Sequence, residues 1–299
     1  MDAGCPGWSD AAANRLLTHG ETSLPTTRRL TAVCSATALA GILAAGPALA
    51  AGTVTITPEE GADWYFSSTH YAETGAPTPT TGIGDVVATP EAGSDPWGTH
   101  VYQLAVDTSQ KARLETSLLN GRPLAELNGV IYSTYSTGLP GYGPSINVTI
   151  DPEGEDDFVT LVWEANKAGF AMADGTWQDW DTTTSAGSSA GGWWTPSIQP
   201  FSSATPGSNR TPTDLATLVE FYGEGSTITG FAVNVGRHGA MTAYVDGIGI
   251  TVGGDTTTYD VQPAVRLTGK QDCKDGGWAT STVPVFRNQG ACVSHFARR

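Results

Sequence analysis

Apolar and polar residues alternate along several short segments in the middle of the chain, and turn-forming residues separate these segments. Each segment is rich in β-branched and aromatic residues, and clusters of Gly, Pro or Asp bound it. This pattern is typical of β-strands joined by tight turns. The segments are 129–135, 145–150, 158–164, 175–181 and the pair Trp193-Trp194. We interpret them as the centre of a β-sandwich.

Segments with a similar pattern flank this centre on both sides. They cover residues 53–57, 83–88, 99–106 and 112–118 before it, and 228–235, 240–252 and 257–261 after it. One stretch instead has helical spacing: Thr213 can cap it, apolar residues from Leu215 to Tyr222 share one face, and Gly223 ends it. Together these elements predict an all-β fold, a two-sheet β-sandwich of the jelly-roll kind with one short helix.

The beginning of the chain has the organisation of a secretory leader. Arg28 and Arg29 precede a weakly apolar run, 30–49, which is followed by an A-x-A cleavage signal. We therefore predict a leader over residues 1–50, with the signal peptide at about 26–50. The mature protein is then expected to be secreted and extracellular, with no membrane insertion after cleavage. A membrane-spanning helix is the alternative, but polar residues, glycines and a proline interrupt the apolar run.

Removal of the leader leaves two of the four cysteines, Cys273 and Cys292. Because the compartment of an exported chain is oxidising, we expect these two to form one disulfide. Closing a loop of roughly 20 residues contributes about 3 kcal/mol in the chain-entropy description. Two unpaired buried thiols, or a metal site that includes His295, are the alternatives. We thus predict a sandwich domain over residues 51–262 and a small disulfide-closed tail over 263–299.

Charge is distributed unevenly along the mature chain. Residues 51–265 contain 6 Lys or Arg and 25 Asp or Glu, a net charge of −19, and residues 266–299 contain 6 and 2, a net charge of +4. A body this acidic does not favour binding to nucleic acid or to anionic membranes. We expect the basic tail to lie against the acidic body or to be solvated, with contact to anionic wall polymers as the alternative.

Two parts of the sequence resemble a known kind of protein. The first part comprises Tyr132-Ser133-Thr134-Tyr135, Trp163-Glu164, 175–181, Trp193-Trp194 and 244–247, and the second is the tail from Cys273 to Ser294. They resemble uncharacterised secreted proteins of actinobacterial type, whose fold looks like galactose-binding-like and concanavalin-like jelly rolls and which end in a short cysteine-containing motif. The resemblance implies a fold and a compartment, and it brings no assigned activity.

The tryptophans suggest carbohydrate recognition, because flat aromatic rings can stack on the C–H faces of sugars while carboxylates accept hydrogen bonds from their hydroxyls. The candidate ligand-binding residues are Trp177, Asp179, Trp180, Asp181, Trp193 and Trp194. Strand alternation places Trp177 and Trp180 on opposite faces and separates Trp193 from Trp194 in the same way. We therefore expect one or two exposed rings near the loop 185–192, and the other rings in the core.

Signatures of catalysis are absent from the sequence. It has no G-x-S-x-G elbow and no H-E-x-x-H motif, and Glu164 and Glu220 are only nominal candidates for a glycosidase pair. The acidic turn 151–157 could hold calcium, and no other cofactor is expected. The leading hypothesis is a non-catalytic protein that binds carbohydrate or a cell-wall polymer. The alternatives are a structural or adhesive surface protein with a protein partner, and a glycoside hydrolase or polysaccharide lyase with an unrecognised carboxylate pair.

Overall fold

Most of the regular structure in the described residues consists of β-strands. The computed structural model describes residues 52–59, 62–70, 83–90, 97–153, 158–196, 212–236 and 239–298, except for the side chains of residues 69 and 70. The strands in these ranges are β1 (Gly52–Ile56), β2 (Trp64–His70), β3 (Ile83–Ala88), β4 (His100–Val106), β5 (Gln110–Thr116), β6 (Leu127–Thr137), β7 (Ser145–Asp151), β8 (Val159–Trp163), β9 (Trp177–Asp181), β10 (Trp193–Trp194), β11 (Thr227–Gly236), β12 (Met241–Val252) and β13 (Asp255–Val261). The α-helices described are α1 (Leu215–Tyr222) and α2 (Gln289–Ala297).

These strands form two sheets. The six-stranded sheet has the order β10-β8-β7-β11-β5-β2, and every neighbouring pair in it is antiparallel. In the seven-stranded sheet, the long strand β12 pairs with β6 along one edge, and β6 pairs with β9. Along its other edge β12 pairs with β4, which continues to β3, and with β13, which continues to β1. The arrangement confirms the predicted all-β sandwich.

The core lies between the sheets because each strand turns alternate apolar side chains inward. Trp163 and Trp193 are cross-strand neighbours in the six-stranded sheet, and both are fully buried. Tyr132 of the seven-stranded sheet packs edge-on against Trp163, with the ring centroids 6.0 Å apart. The Tyr132 hydroxyl donates a hydrogen bond to the carbonyl oxygen of Pro144 at 3.0 Å, so this buried phenol is satisfied. Each such ring stabilises the fold by about 2–3 kcal/mol relative to an exposed one.

Strand β2 is an element that the sequence does not predict. Its first residue, Trp64, is buried against Phe231 and Tyr259, but its second half is a run of small polar residues that is typical of a turn. Pairing with β5 along its whole length holds this segment in the sheet. The prediction fails here because tertiary pairing overrides a weak local pattern.

Helix α1 has the predicted bounds but a different cap. The Asp214 carboxylate accepts a hydrogen bond from the Thr217 amide at 2.7 Å, which makes Asp214 the N-cap residue. Thr213, the predicted cap, instead forms a backbone bridge to Trp193. Leu218 and Tyr222 bury the apolar face of the helix in the core.

The C-terminal tail has a small hydrophobic cluster of its own around the disulfide. Cys273 and Cys292 are bonded, as predicted, and both are fully buried. Phe286 completes the buried part of the cluster, and four partly buried side chains pack against it: Leu267, Trp278, Val293 and Phe296. Helix α2 was not predicted from the sequence, and Asn288 caps it by accepting a hydrogen bond from the Ala291 amide at 2.8 Å. At the start of the tail, Arg266 forms an ion pair with Glu59, which brings one basic tail residue to the acidic body.

The predicted leader, 1–50, and its signal peptide lie outside the described residues and stay predictions, as do the two domain boundaries. In the described part of the chain, no helix is long and apolar enough to cross a membrane.

The separation of the two hydrophobic clusters generates a prediction about the disulfide. In the double variant Cys273→Ala/Cys292→Ala, the tail loses its cross-link, worth about 3 kcal/mol, while the sandwich core keeps all its contacts. Hydrogen exchange followed by mass spectrometry is expected to show faster exchange in residues 263–298 and unchanged exchange in β7, β11 and β12. Mass spectrometry of the native protein also shows whether Cys273 and Cys292 are bonded. Free thiols at both positions would contradict the account.

The buried tyrosines generate a second prediction, for alkaline pH. Burial raises the pKa of Tyr259 to about 12, with a further increase from the Asp63 carboxylate and a decrease from the Arg122 cation. Burial likewise raises the pKa of Tyr222 to about 12 and that of Tyr132 well above its ordinary value. Between about pH 10 and 12 these phenols stay protonated in the folded protein but lose their protons in the unfolded chain. The free energy of unfolding is therefore expected to fall as pH rises through this window.

Tyr259→Phe isolates one of these phenols, since its hydroxyl has no hydrogen-bond partner among the described residues. At about pH 8 the variant is expected to keep its stability within about 1 kcal/mol. Near pH 11 the free energy of unfolding of the variant is expected to fall less steeply with pH than that of the native protein. The difference in slope is up to about 1.4 kcal/mol per pH unit, the value for one proton. Urea unfolding at about pH 8, 10 and 11 measures the stability and its change with pH. Tyr142→Phe, at an exposed phenol, is the control, and an equal change in both variants would contradict the assignment to Tyr259.

Candidate functional site

A groove runs across the outer face of the six-stranded sheet. It has a volume of about 650 Å³ and is lined by side chains of β5, β7, β8, β10 and β11. A single row of cross-strand neighbours runs along it: Trp194, Val162, Asn147, Ala232, Glu115 and Tyr65. The row begins and ends on the two edge strands, β10 and β2. With strands about 4.8 Å apart, it is about 24 Å long.

Alternation within each strand decides which residues reach this face. Trp193 faces the core, and the next residue, Trp194, faces the groove. The two-residue strand β10 is held on one side by β8, and on the other by hydrogen bonds in both directions between the backbones of Trp193 and Thr213, at 2.8 and 3.0 Å. Because the ring of Trp193 is fixed in the core, the position of Trp194 at the end of the groove is fixed as well.

The β10 end of the groove combines an aromatic ring with charged groups. The ammonium group of Lys167 lies over the indole of Trp194, with Nζ 5.3 Å from the ring centroid. Glu164 follows β8 and also lines the groove. The indole Nε1 of Trp194 has no hydrogen-bond partner among the described residues. This end can therefore offer a ligand an apolar surface and both signs of charge.

The floor of the groove is a small network of amides and a hydroxyl. The Ser145 hydroxyl lies 3.1 Å from Oδ1 of Asn147 and 3.2 Å from the backbone carbonyl oxygen of Asn234. Nδ2 of Asn234 donates back to that hydroxyl at 3.3 Å. The other amide atom of Asn234, Oδ1, is buried without a hydrogen-bond partner in the described structure, although the side chain lines the groove. Asn147 and Asn234 therefore give the groove a polar floor, in which Ser145 holds the Asn234 amide.

The β2 end of the groove is organised around the carboxylate of Glu115. The hydroxyl of Tyr65 donates to its Oε2 at 3.2 Å, the hydroxyl of Ser67 donates to its Oε1, and Nη1 of Arg113 lies 3.6 Å from Oε1. Burial, followed by the charge of Glu115 and the hydrogen bond to it, raises the pKa of Tyr65. Three partners hold the carboxylate in one orientation, with its acceptors largely engaged.

The structure divides the six candidate ligand-binding residues among different surroundings. Trp194 lines the groove, and Trp193 is in the core. The other four lie on β9, in the seven-stranded sheet: Trp177, Asp179, Trp180 and Asp181. Trp180 is 5% exposed, and its Nε1 donates to the Thr134 hydroxyl at 2.8 Å. The six residues therefore do not share one surface, and Trp194 is the member that lies in the groove.

The outer face of the seven-stranded sheet has a second, smaller hollow near β9. Its volume is about 380 Å³, and Asp179, Asp181 and Trp97 are among the residues that line it. Nε1 of Trp97 donates to the Ser133 hydroxyl at 2.9 Å, and that hydroxyl donates to Asp179 at 2.6 Å. Trp177 lies outside this hollow and packs against Tyr135, with the centroids 5.9 Å apart.

The structure also shows where the candidate metal-binding and catalytic residues lie. No group of three or more His, Cys, Asp or Glu side chains in the described ranges is arranged to hold a metal ion. Most of the acidic turn, 154–157, lies outside those ranges, and the carboxylate of Glu153 accepts a hydrogen bond from the Gly225 amide. Calcium binding there stays a prediction. Glu164 lines the groove, whereas Glu220 is exposed on α1 and is not one of the groove residues.

The amides and charged side chains of the groove were not predicted as a site from the sequence, although part of their pattern is visible there. In β5, Lys111, Arg113 and Glu115 alternate with the buried Ala112 and Leu114. This alternation shows a strand with one fully polar face. Asn147 and Asn234 lie inside predicted strands, where an amide is unusual and indicates a polar face.

The comparisons with known proteins return only loose structural neighbours. No protein-family model and no curated protein matches the chain. The similar solved structures include a family 11 carbohydrate-binding module of a cellulosomal cellulase of Clostridium thermocellum, with 10% identity and a TM-score of 0.36 over 68% of this chain and 96% of that one. They also include a family 11 module from Clostridium thermocellum in complex with a β-1,3-1,4-mixed-linked tetrasaccharide, with 11% identity and a TM-score of 0.35 over 64% and 91%.

A third neighbour is TmCBM61 in complex with β-1,4-galactotriose, with 12% identity and a TM-score of 0.27 over 63% of this chain and 88% of that one. Superpositions this loose transfer no ligand and no residue role to this chain. The groove is therefore interpreted from its own side chains.

The floor network generates a prediction that separates structural from ligand-facing residues. Ser145→Ala leaves the buried Asn147 and Asn234 amides without their shared partner, so it is expected to lower the free energy of unfolding by about 1–3 kcal/mol. Asn234→Ala removes one long hydrogen bond together with an unpartnered acceptor, so its cost is expected to stay below about 1 kcal/mol. Urea unfolding of the two variants measures the difference. An equal cost would mean that Asn234 is a structural residue of the sheet.

Proposed function

We propose that this protein is a secreted, non-catalytic β-sandwich that binds a carbohydrate chain, such as a cell-wall polymer, along the groove of the six-stranded sheet. The observation that carries the proposal is the row from Trp194 to Tyr65, in which the groove residues Asn147 and Glu115 lie between an aromatic residue on β10 and one on β2. Sugar rings have apolar C–H faces and polar edges, and the groove presents surfaces of both kinds in one line.

The position of the row in the sheet favours a polymer over a small molecule. The row crosses every strand of the six-stranded sheet, from β10 to β2, so it is long in comparison with a single sugar ring. The floor is made of short side chains, Asn147 and Ala232, between the aromatic ends. An extended chain can therefore lie across the strands with its hydroxyls toward Asn234.

The carboxylates of the groove support binding without chemistry. Glu115 is on β5 and Glu164 follows β8, and two strands lie between these in the sheet. Their strands are therefore about 14 Å apart, whereas the two carboxyl groups of glycosidases are about 5–9.5 Å apart. Glu115 is also engaged by Tyr65, Ser67 and Arg113. Among the described residues that line the groove, Glu115 and Glu164 are therefore not carboxylates of neighbouring strands.

Secretion has independent support from the disulfide. Cys273 and Cys292 are bonded in the tail, and such bonds persist in oxidising compartments. This fits the export predicted from the sequence.

Trp194→Ala tests the proposal. Removal of the ring is expected to weaken binding to the best glycan of a panel by about tenfold or more, because a buried aromatic anchor is lost. Binding is measured by isothermal titration with soluble oligosaccharides and by pull-down on insoluble walls. Trp177→Ala, on the outer face of the other sheet, is the matched control and is expected to bind as well as the native protein.

Two other outcomes identify the alternative functions. Retention on walls that disappears after protease treatment of the walls indicates a protein partner. Release of reducing ends from mixed polysaccharides indicates an enzyme. Either result, or glycan binding that is equal in the Trp194→Ala variant, would contradict the proposal.

A further inference from the structure

We propose that the groove selects an anionic polysaccharide, one whose sugars carry carboxylate groups, over an uncharged one. This inference rests on the proposed function and specifies its substrate class. Its basis is the position of the few basic side chains in the acidic body.

Basic residues of the body are concentrated at the groove. Among the described residues between Gly52 and Val261, the basic ones are Lys111, Arg113, Arg122 and Lys167. Lys111 and Arg113 line the groove, and Lys167 lies over the ring of Trp194. Arg122 lies elsewhere and pairs with Glu126, 3.4 Å away.

Acidic residues have the opposite distribution. Of the many described Asp and Glu residues of the body, only Glu115 and Glu164 line the groove. The charges of the groove and its rim are thus three cations against two carboxylates, in a body whose net charge is −19. An anionic chain is repelled by the rest of this surface, so the groove is the place where it meets a favourable field.

The cations lie where a bound chain would pass. Lys111 and Arg113 are two residues apart on β5, so both project from the outer face, opposite Gly236 and Asn234 of β11. Lys167 lies at the other end, four strand spacings or about 19 Å from β5. Positive charge therefore occurs toward both ends of the row, which suits a ligand that repeats its negative charge along its length.

The pair formed by Trp194 and Lys167 fits a single acidic sugar. The indole offers an apolar surface for the sugar ring, and the ammonium group that lies over this indole can meet a carboxylate on the same sugar. An uncharged sugar uses only the first of these groups. Of the two carboxylates of the groove, Glu164 lies at this end, and Glu115 lies toward the other end with Arg113 beside it.

Two pairs of polymers with matched backbones test the inference. Polygalacturonate is compared with its full methyl ester, and dextran sulfate with dextran, so that each pair differs in charge. Polygalacturonate is expected to bind at least about tenfold more tightly than its ester near 50 mM salt, and this preference shrinks near 500 mM salt as the charges are screened. The dextran pair shows whether sulfate can replace carboxylate as the anionic group. Polygalacturonate that binds no better than its ester would overturn the inference, whatever the result for the dextran pair.

Variants locate the effect. Lys111→Gln and Lys167→Gln keep most of each side chain and remove one charge, and each is expected to weaken binding to polygalacturonate by about three- to tenfold, with little effect on the ester. Lys274→Gln in the tail removes the same charge away from the groove, and it is the matched control. An equal loss in Lys274→Gln would mean that attraction by net charge, and not the groove, is responsible.

The outcomes separate this inference from the proposed function. Binding of neutral glycans that depends on Trp194, without preference for charge, would overturn the inference and leave the proposed function standing. Binding to none of the four polymers and to no glycan of the panel would overturn both.

Discussion

The alternation of side chains along each strand of the six-stranded sheet is the constraint on which the core and the groove both depend. One face of this sheet must be apolar enough to close the sandwich, and the other is left to carry polar groups. Trp193 and Trp194 are adjacent in the chain, yet one ring packs against Trp163 in the core and the other ends the groove. The groove is therefore positioned by the same residues that hold the sheets together.

This coupling explains why the groove can be both ordered and rich in polar groups. Ile146, Trp163 and Val233 fix their strands from the core side, so Asn147 and Asn234 need not contribute to packing. Their amides instead form a network with Ser145 that makes the floor of the groove polar. In the same way, Leu114 packs in the core and holds β5 in place. Lys111, Arg113 and Glu115 carry the charges on the outer face of that strand. The side chains that face the groove are therefore largely distinct from those that pack the core.

Much of the fold follows from the sequence because alternation and turn residues are local signals. They predict most strands, helix α1 and the split between Trp193 and Trp194. Alternation does not say which strands become neighbours, so the placement of β9 and β10 in different sheets, which separates Asp179 from Trp194, could not be predicted. Pairing over long distances also decides the cases that local signals leave open. Tyr65 contacts the groove residue Glu115 from β2, a strand that depends on its pairing with β5, and Thr213 bridges to Trp193 instead of capping α1.

The central claim is that carbohydrate lies along the row from Trp194 to Tyr65, and NMR of the ¹⁵N-labelled protein tests it most directly. The indole resonances of Trp194, Trp97 and Trp177 report on the two outer faces of the sandwich within one titration with a galacturonate oligosaccharide. The account predicts that the Trp194 indole and the side-chain amides of Asn147 and Asn234 shift with a common saturation curve, while the indoles of Trp97 and Trp177 stay in place. Shifts at Trp97 and Trp177 with an unchanged Trp194 would contradict it.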